Sequence, residues 1–186
     1  MIVTKNRSVE DIQQLLKQGF SLFGENRVQE AKLKYQNIEK NYELHLIGPL
    51  QSNKVKVALK LFDTIQTVGS SKLVDLIDKE LKKDEAFRTK GFYIQVNIGE
   101  EHQKSGINEK NVQELFDYAK NKKLNIKGLM CIPPLDKEPL FFFEKMLTIR
   151  DQVDQDLNLS MGMSNDYEIA LNCSSNMVRI GSKIFL

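Results

Sequence analysis

Phe92-Tyr-Ile-Gln-Val-Asn-Ile98 is the stretch that decides the fold, because only Gln95 and Asn97 interrupt its run of apolar side chains. A strand that is apolar on both faces is typical of a parallel sheet covered by helices on each side. Helical patterns flank it, one capped by Ser71 and the other spanning residues 111–121. The stretch and its neighbours therefore predict an α/β architecture.

The same alternation continues to both ends of the chain. The apolar segments that we interpret as strands are residues 2–5, 22–25, 43–48, 63–68, 92–98, 125–132, 159–162 and 178–185. Helical patterns follow the first seven, after Ser8, over 27–40, near Ser52, after Ser71, and over 111–121, 139–156 and 167–172. Regular β-α alternation predicts a parallel sheet, and eight units predict its closure. The sequence therefore predicts one (β/α)8 TIM-type barrel domain over residues 1–186.

Composition excludes several classes of partner. The chain is 41% hydrophobic and 28% charged, with a net charge of +2, which is ordinary for a globular domain and indicates neither nucleic acid nor a membrane surface. There is no run of about 18 apolar residues and no apolar leader. Two distant cysteines, Cys131 and Cys173, and two histidines, His45 and His102, form no metal-ligand pattern. We expect a cytoplasmic protein.

The length raises a question about the barrel. Barrels of this type usually need about 200 residues or more. Here the first predicted strand begins at Ile2 and the last ends at Phe185, so no helix covers the seam between them. The uncovered seam predicts a monomer or a weak homodimer that associates through the first and last strands.

Lys5 is the first candidate site residue. Active sites of such barrels lie at the C-terminal ends of the strands, where Lys5 closes the first strand. Partial desolvation there makes a lysine amine nucleophilic toward a carbonyl. A solvated lysine at a strand end fits the same position, and position alone does not separate the two.

Two later segments predict an anion site. Ser160-Met-Gly-Met-Ser-Asn-Asp166 ends the seventh strand, and Arg179-Ile-Gly-Ser182 lies on the eighth. These are the two positions where such barrels commonly bind phosphate, and small residues let the backbone approach a ligand. The alternative is a tight turn with Ser164 or Asn165 as a helix cap and Arg179 in a surface ion pair.

Seven stretches together carry a family resemblance. They are Val3-Thr-Lys5, Phe23-Gly-Glu-Asn-Arg-Val-Gln-Glu30, His45-Leu-Ile-Gly-Pro-Leu-Gln-Ser-Asn-Lys54, Gln95-Val-Asn-Ile98 with Lys104-Ser-Gly106, Gly128-Leu-Met130, Ser160–Asp166 and Val178-Arg-Ile-Gly181. In this order they resemble the pyridoxal phosphate homeostasis protein family, which looks like the barrel domain of alanine racemase standing alone.

The resemblance implies a pyridoxal 5′-phosphate site in which Lys5 forms a Schiff base with the cofactor. It implies that Arg179 faces the pyridine nitrogen and opposes its protonation, which makes the ring a poorer electron sink. The residues implied to hold the phosphate or to lie near it are Ser164, Gly181, Ser182, Ser160 and Asn165. Asn26 and Asn53 are implied to line the open side, although Asn26 could also cap the helix that follows it.

The chain departs from the family pattern at three places. Pro49 stands where many members carry histidine. The family's helix before the lysine strand is absent, and the chain ends at Leu186, where relatives continue.

Three functions remain open at this point. The resemblance implies a non-catalytic carrier for vitamin B6 homeostasis that delivers the cofactor to pyridoxal-phosphate-dependent apo-enzymes. The first alternative is a racemase-like enzyme, which needs a second acid/base opposite the lysine. Alanine racemase takes that tyrosine from a second domain, and Tyr93, Tyr118 and Tyr167 are not obvious substitutes. The second alternative is a phosphate-binding barrel that uses no Schiff base.

Overall fold

One parallel sheet of eight strands organises the computed structural model, which describes residues 1–83 and 86–185. The strands, β1 to β8, are Ile2–Val3, Leu22–Glu25, Glu43–Leu46, Thr64–Val68, Gly91–Val96, Ile126–Cys131, Asn158–Met163 and Met177–Arg179. Each pairs with the next in chain order. The ring closes between its ends, because the Val3 N–H donates to the Ile180 carbonyl at 2.8 Å. The predicted (β/α)8 barrel is confirmed.

Seven α-helices pack around the sheet. In chain order, α1 to α7 are Val9–Lys17, Val28–Tyr35, Val55–Leu61, Ser71–Leu81, Val112–Asn121, Pro139–Val153 and Tyr167–Asn172. Local sequence explains where two of them begin. Ser8 caps α1, accepting from the Asp11 N–H at 3.1 Å while the Asp11 carboxylate accepts from the Ser8 N–H. Pro139 opens α6, where its missing N–H costs no helical hydrogen bond.

Several predicted boundaries are wrong. The cap of α4 is Ser70, not Ser71, because Ser70 is extended and its hydroxyl accepts from the Leu73 N–H. The first strand stops at Val3, because a turn from Thr4 to Arg7 follows. The last strand ends at Arg179 rather than Phe185, because the chain turns after Gly181. Helix α2 also ends earlier than predicted, at Tyr35.

The two faces of the sheet bury different chemistry. Outside the ring, apolar side chains such as Phe23, Leu44 and Leu129 are fully buried in the layer beneath the helices. Inside the ring, Gln66 and Ser160 are buried and hydrogen-bonded to each other from β4 and β7. Since buried polar groups need partners, this hydrogen bond satisfies both side chains within the ring.

The seam between β1 and β8 is partly covered by the C-terminal turn. The Arg7 guanidinium lies 4.1 Å from the centre of the Phe185 ring, and Phe185 packs against the core. Ile184 stays exposed beside it. Among the described residues no helix follows β8, and none of the described helices is long and apolar enough to cross a membrane.

Candidate cofactor-binding site

A cavity of about 550 Å³ opens at the C-terminal ends of the strands. This volume lies within the range of about 300–1,000 Å³ that is usual for small-molecule sites. Most of the predicted site residues line it, and they come from the ends of β1, β2, β7 and β8. These residues are Lys5, Asn26, Ser164, Asn165, Arg179, Gly181 and Ser182.

Lys5 reaches this cavity from a tight turn. The Arg7 N–H donates to the Thr4 carbonyl at 3.1 Å, and Asn6 adopts a left-handed φ of 59°. Asparagine tolerates this conformation better than most residues do. The turn therefore presents the Lys5 amine at the mouth of the barrel, where a small aldehyde could reach it.

Arg179 forms the floor of the cavity. It is 4% exposed, and its Nη1 donates to the Ser160 carbonyl at 2.7 Å and to the Ser160 hydroxyl at 2.9 Å. Its Nη2 donates to the Cys131 carbonyl at 2.7 Å. Burial lowers the pKa of the guanidinium below its usual value. The alternative of a surface ion pair is wrong, because Arg179 is buried and hydrogen-bonded to neutral oxygens.

Ser160 lies beneath the cavity and does not line it. Its hydroxyl donates to Gln66 Oε1 at 2.7 Å while accepting from Arg179. Gln66 Nε2 lies 2.8 Å from His45 Nδ1, and His45 Nε2 lies 2.7 Å from a carboxylate oxygen of Glu43. Ser160 thus orients Arg179, and His45 is a core histidine with both ring nitrogens in hydrogen bonds. The sequence carried no signal for Gln66.

The loops after β7 and β8 meet at the cavity wall. Ser164 is buried, and its hydroxyl accepts from the Gly181 N–H at 3.4 Å. The Asp166 carboxylate accepts from the Met163 N–H at 2.6 Å, which closes the loop that carries Ser164 and Asn165. Hydroxyl and amide groups from two loops therefore converge where a phosphate could accept hydrogen bonds.

Of the two asparagines implied to line the open side of the site, only Asn26 lines the cavity. Asn26 lines the cavity, and Arg27 rather than Asn26 stands at the cap of α2. The Asn26 backbone is crowded by the segment after β3, since a Cβ on Gly48 would lie 2.1 Å from the Asn26 carbonyl oxygen. Asn53 lies on the exposed turn Ser52–Lys54 and is not part of the cavity lining.

The described residues fit an organic cofactor better than a metal. In the part of the chain that the structure describes, no three His, Cys, Asp or Glu side chains are grouped to hold a metal ion. Burial raises the pKa of the Cys131 thiol to about 12, which leaves it a poor nucleophile. The cavity offers instead the primary amine of Lys5, the buried cation of Arg179 and hydrogen-bond donors for a phosphate. This set suits a phosphorylated aromatic aldehyde.

Comparison with known proteins finds relatives that the chain matches over most of their length. It is 38% identical to the pyridoxal phosphate homeostasis protein of Haemophilus influenzae over 198 aligned residues, covering 100% of this chain and 83% of the relative. PipY of Synechococcus elongatus PCC7942 superposes with a TM-score of 0.90 in its form without PLP, at 30% identity, and 0.86 with PLP bound, at 29%. Both comparisons cover 100% of this chain and 92% of PipY.

A more distant likeness concerns the fold alone. Alanine racemase of Clostridium difficile 630 superposes with a TM-score of 0.78 at 17% identity, and the chain spans 50% of its length.

The family model for the alanine racemase N-terminal domain matches residues 1–186. The chain therefore belongs to the alanine racemase N-terminal domain family, and within it to the pyridoxal phosphate homeostasis proteins.

Proposed function

We propose that this protein binds pyridoxal 5′-phosphate on Lys5 as a Schiff base and serves as a non-catalytic carrier in vitamin B6 homeostasis. The observation that carries the proposal is the shared cavity, which brings the Lys5 amine together with Arg179 and the loops after β7 and β8. The PLP-bound form of PipY, a relative with the same fold, supports the choice of cofactor.

Each side chain has a distinct role in this proposal. The cofactor supplies an aldehyde that a primary amine can attack. Lys5 would hold the cofactor through its amine, which can condense with that aldehyde and release water. The Ser164 hydroxyl, Ser182 and the backbone at Gly181 would hold the phosphate. Arg179 would face the ring nitrogen as a donor and oppose its protonation.

The positions of the three candidate tyrosines favour a carrier over a racemase. Tyr93 is buried in β5, the Tyr118 hydroxyl donates to Asp75 at 2.6 Å, and the Tyr167 hydroxyl donates to Glu168 at 2.8 Å. None of the three lines the described cavity. Asp166 and Lys137 do line it, and one Asp166 carboxylate oxygen accepts from the Met163 N–H.

The proposal predicts a yellow adduct at one lysine. Purified protein mixed with pyridoxal phosphate should absorb in the visible range, and borohydride reduction followed by peptide mass mapping should place the label on the peptide that contains Lys5. The reason is that Lys5 combines an accessible amine with a nearby phosphate site. Label spread evenly over the surface lysines would contradict the proposal.

A racemase assay tests the absence of catalysis. With alanine or serine as substrate, we expect no saturable turnover above that of free pyridoxal phosphate, because none of the three candidate tyrosines lines the described cavity. The control is the same assay with Lys5→Ala. Saturable turnover that disappears in this variant would contradict the carrier proposal and indicate an enzyme.

For partners, we propose pyridoxal phosphate itself and the cytoplasmic apo-enzymes that require it. Arg179 favours this assignment, because a cation beside the ring nitrogen makes the bound ring a weak electron sink. For the oligomeric state, we propose a monomer or weak homodimer that associates along β1 and β8.

A further inference from the structure

A buried ionic cluster lies behind the turn that carries Lys5, on the helix side of the sheet. It consists of Glu25 at the end of β2 and of Glu30 and Lys34 on α2. Lys34 Nζ lies 2.6 Å from Glu25 Oε1 and 2.8 Å from Glu30 Oε1. The Glu25 side chain is 0% exposed and that of Lys34 is 10% exposed. None of these three side chains lines the described cavity.

The cluster forms hydrogen bonds with the residues on both sides of Lys5. Lys34 Nζ donates its remaining hydrogen bond to the Thr4 carbonyl at 2.6 Å, and the Thr4 hydroxyl donates to Glu25 Oε1 at 2.7 Å. On the other side, the Asn6 N–H donates to Glu30 Oε1 at 2.8 Å. The residues before and after Lys5 are therefore both tied to α2, while the Lys5 side chain reaches the cavity.

We propose that Glu25, Glu30 and Lys34 are positioning residues that set how fast Lys5 reacts with an aldehyde in the cavity. This inference rests on the proposed function of Lys5. A lysine side chain is flexible, so its backbone must be fixed if the amine is to start close to the carbonyl carbon. Fixing reacting groups in a near-attack geometry accelerates bond formation, and small misplacements slow it strongly.

The test compares Glu30→Ala with Glu30→Gln. Glutamine keeps a side-chain oxygen for the Asn6 N–H but loses the charge, whereas alanine loses both. Glu80→Ala is the matched control, because Glu80 also pairs with a lysine one helical turn away, Lys83, but lies on α4. Two quantities are measured: the rate of yellow adduct formation after rapid mixing with pyridoxal phosphate, and the affinity for pyridoxine 5′-phosphate, an alcohol that cannot form the adduct.

We expect Glu30→Ala to slow adduct formation about tenfold and to change the affinity for pyridoxine 5′-phosphate less than about twofold. Glu30→Gln should recover most of the rate, and Glu80→Ala should match the unsubstituted protein. Equal rates in Glu30→Ala and the unsubstituted protein would overturn the inference. A parallel loss of rate and of alcohol affinity would also overturn it, because the whole cavity would then be disturbed.

Amide hydrogen exchange at Asn6 gives an independent measurement that does not depend on adduct formation. The inference requires faster exchange in Glu30→Ala than in Glu80→Ala, and unchanged exchange in Glu30→Ala contradicts it. Failure of the proposed function looks different, since the unsubstituted protein would then form no adduct on the Lys5 peptide.

Discussion

Lys5→Ala should abolish the yellow, borohydride-reducible adduct while leaving the binding of pyridoxine 5′-phosphate nearly unchanged. The amine and the groups proposed to bind the phosphate come from opposite ends of the chain. Lys5 follows β1, whereas Ser164 follows β7 and Gly181 and Ser182 follow β8. Because the Lys5 side chain is exposed, its removal should leave the free energy of unfolding within about 0.5 kcal/mol. Visible absorbance, mass mapping and calorimetry with the alcohol give the three readings.

Lys137→Ala is the matched control for Lys5→Ala. Lys137 lines the same cavity from the segment before α6 and is also exposed, but it lies outside the turn held by Glu30 and Lys34. We expect this variant to form the adduct as the unsubstituted protein does. Tight yellow binding retained in Lys5→Ala would instead favour the phosphate-binding barrel without a Schiff base at Lys5.

Lys34→Met should destabilise the protein by about 3–5 kcal/mol at pH 7, because it removes one partner of a buried ion pair. Methionine roughly preserves the apolar stem of the lysine side chain. The destabilisation therefore comes from the Glu25 carboxylate and the Thr4 carbonyl, which both lose their ammonium partner. Burial already raises the pKa of Glu25, although hydrogen bonds from Lys34 and Thr4 oppose that effect. Loss of the Lys34 ammonium should raise the pKa further.

The sign of the pH dependence follows from this raised pKa. Between the unfolded and folded pKa values, the folded carboxyl holds a proton that the unfolded chain has released, so stability falls as the pH rises. Urea unfolding should therefore show a smaller cost of Lys34→Met at pH 5 than at pH 7. The double variant with Glu25→Gln should recover part of the loss, since the buried charge of Glu25 is then removed as well.

Lys82→Met controls for the removal of a lysine from a helix. Lys82 pairs with Asp78 at 2.8 Å, but its side chain is 70% exposed, and such surface pairs contribute little. If Lys34→Met cost no more than Lys82→Met, Glu25 would not be a buried charge that depends on Lys34.

The elements that the sequence predicted well are those with local causes. Strand β2 at Leu22–Glu25 and helix α7 at Tyr167–Asn172 lie where the apolar pattern placed them. Ser8 and Pro139 begin their helices because a cap and a first-turn proline act within a few residues. The eight-fold alternation determined the barrel, and the barrel in turn brought Lys5, Arg179 and the β7 loop to one cavity.

Tertiary structure alone decided which groups support that cavity. Ser160 meets Gln66 across 94 residues of chain, and Lys34 meets the Thr4 carbonyl across 30. Such contacts depend on strand register and on how each helix docks. Asn53 belongs to a matching motif, yet its turn carries it away from the cavity lining. Local patterns fix the period and the caps of each element, whereas the partner of a buried charge or amide is fixed only when the closed ring brings distant strands together.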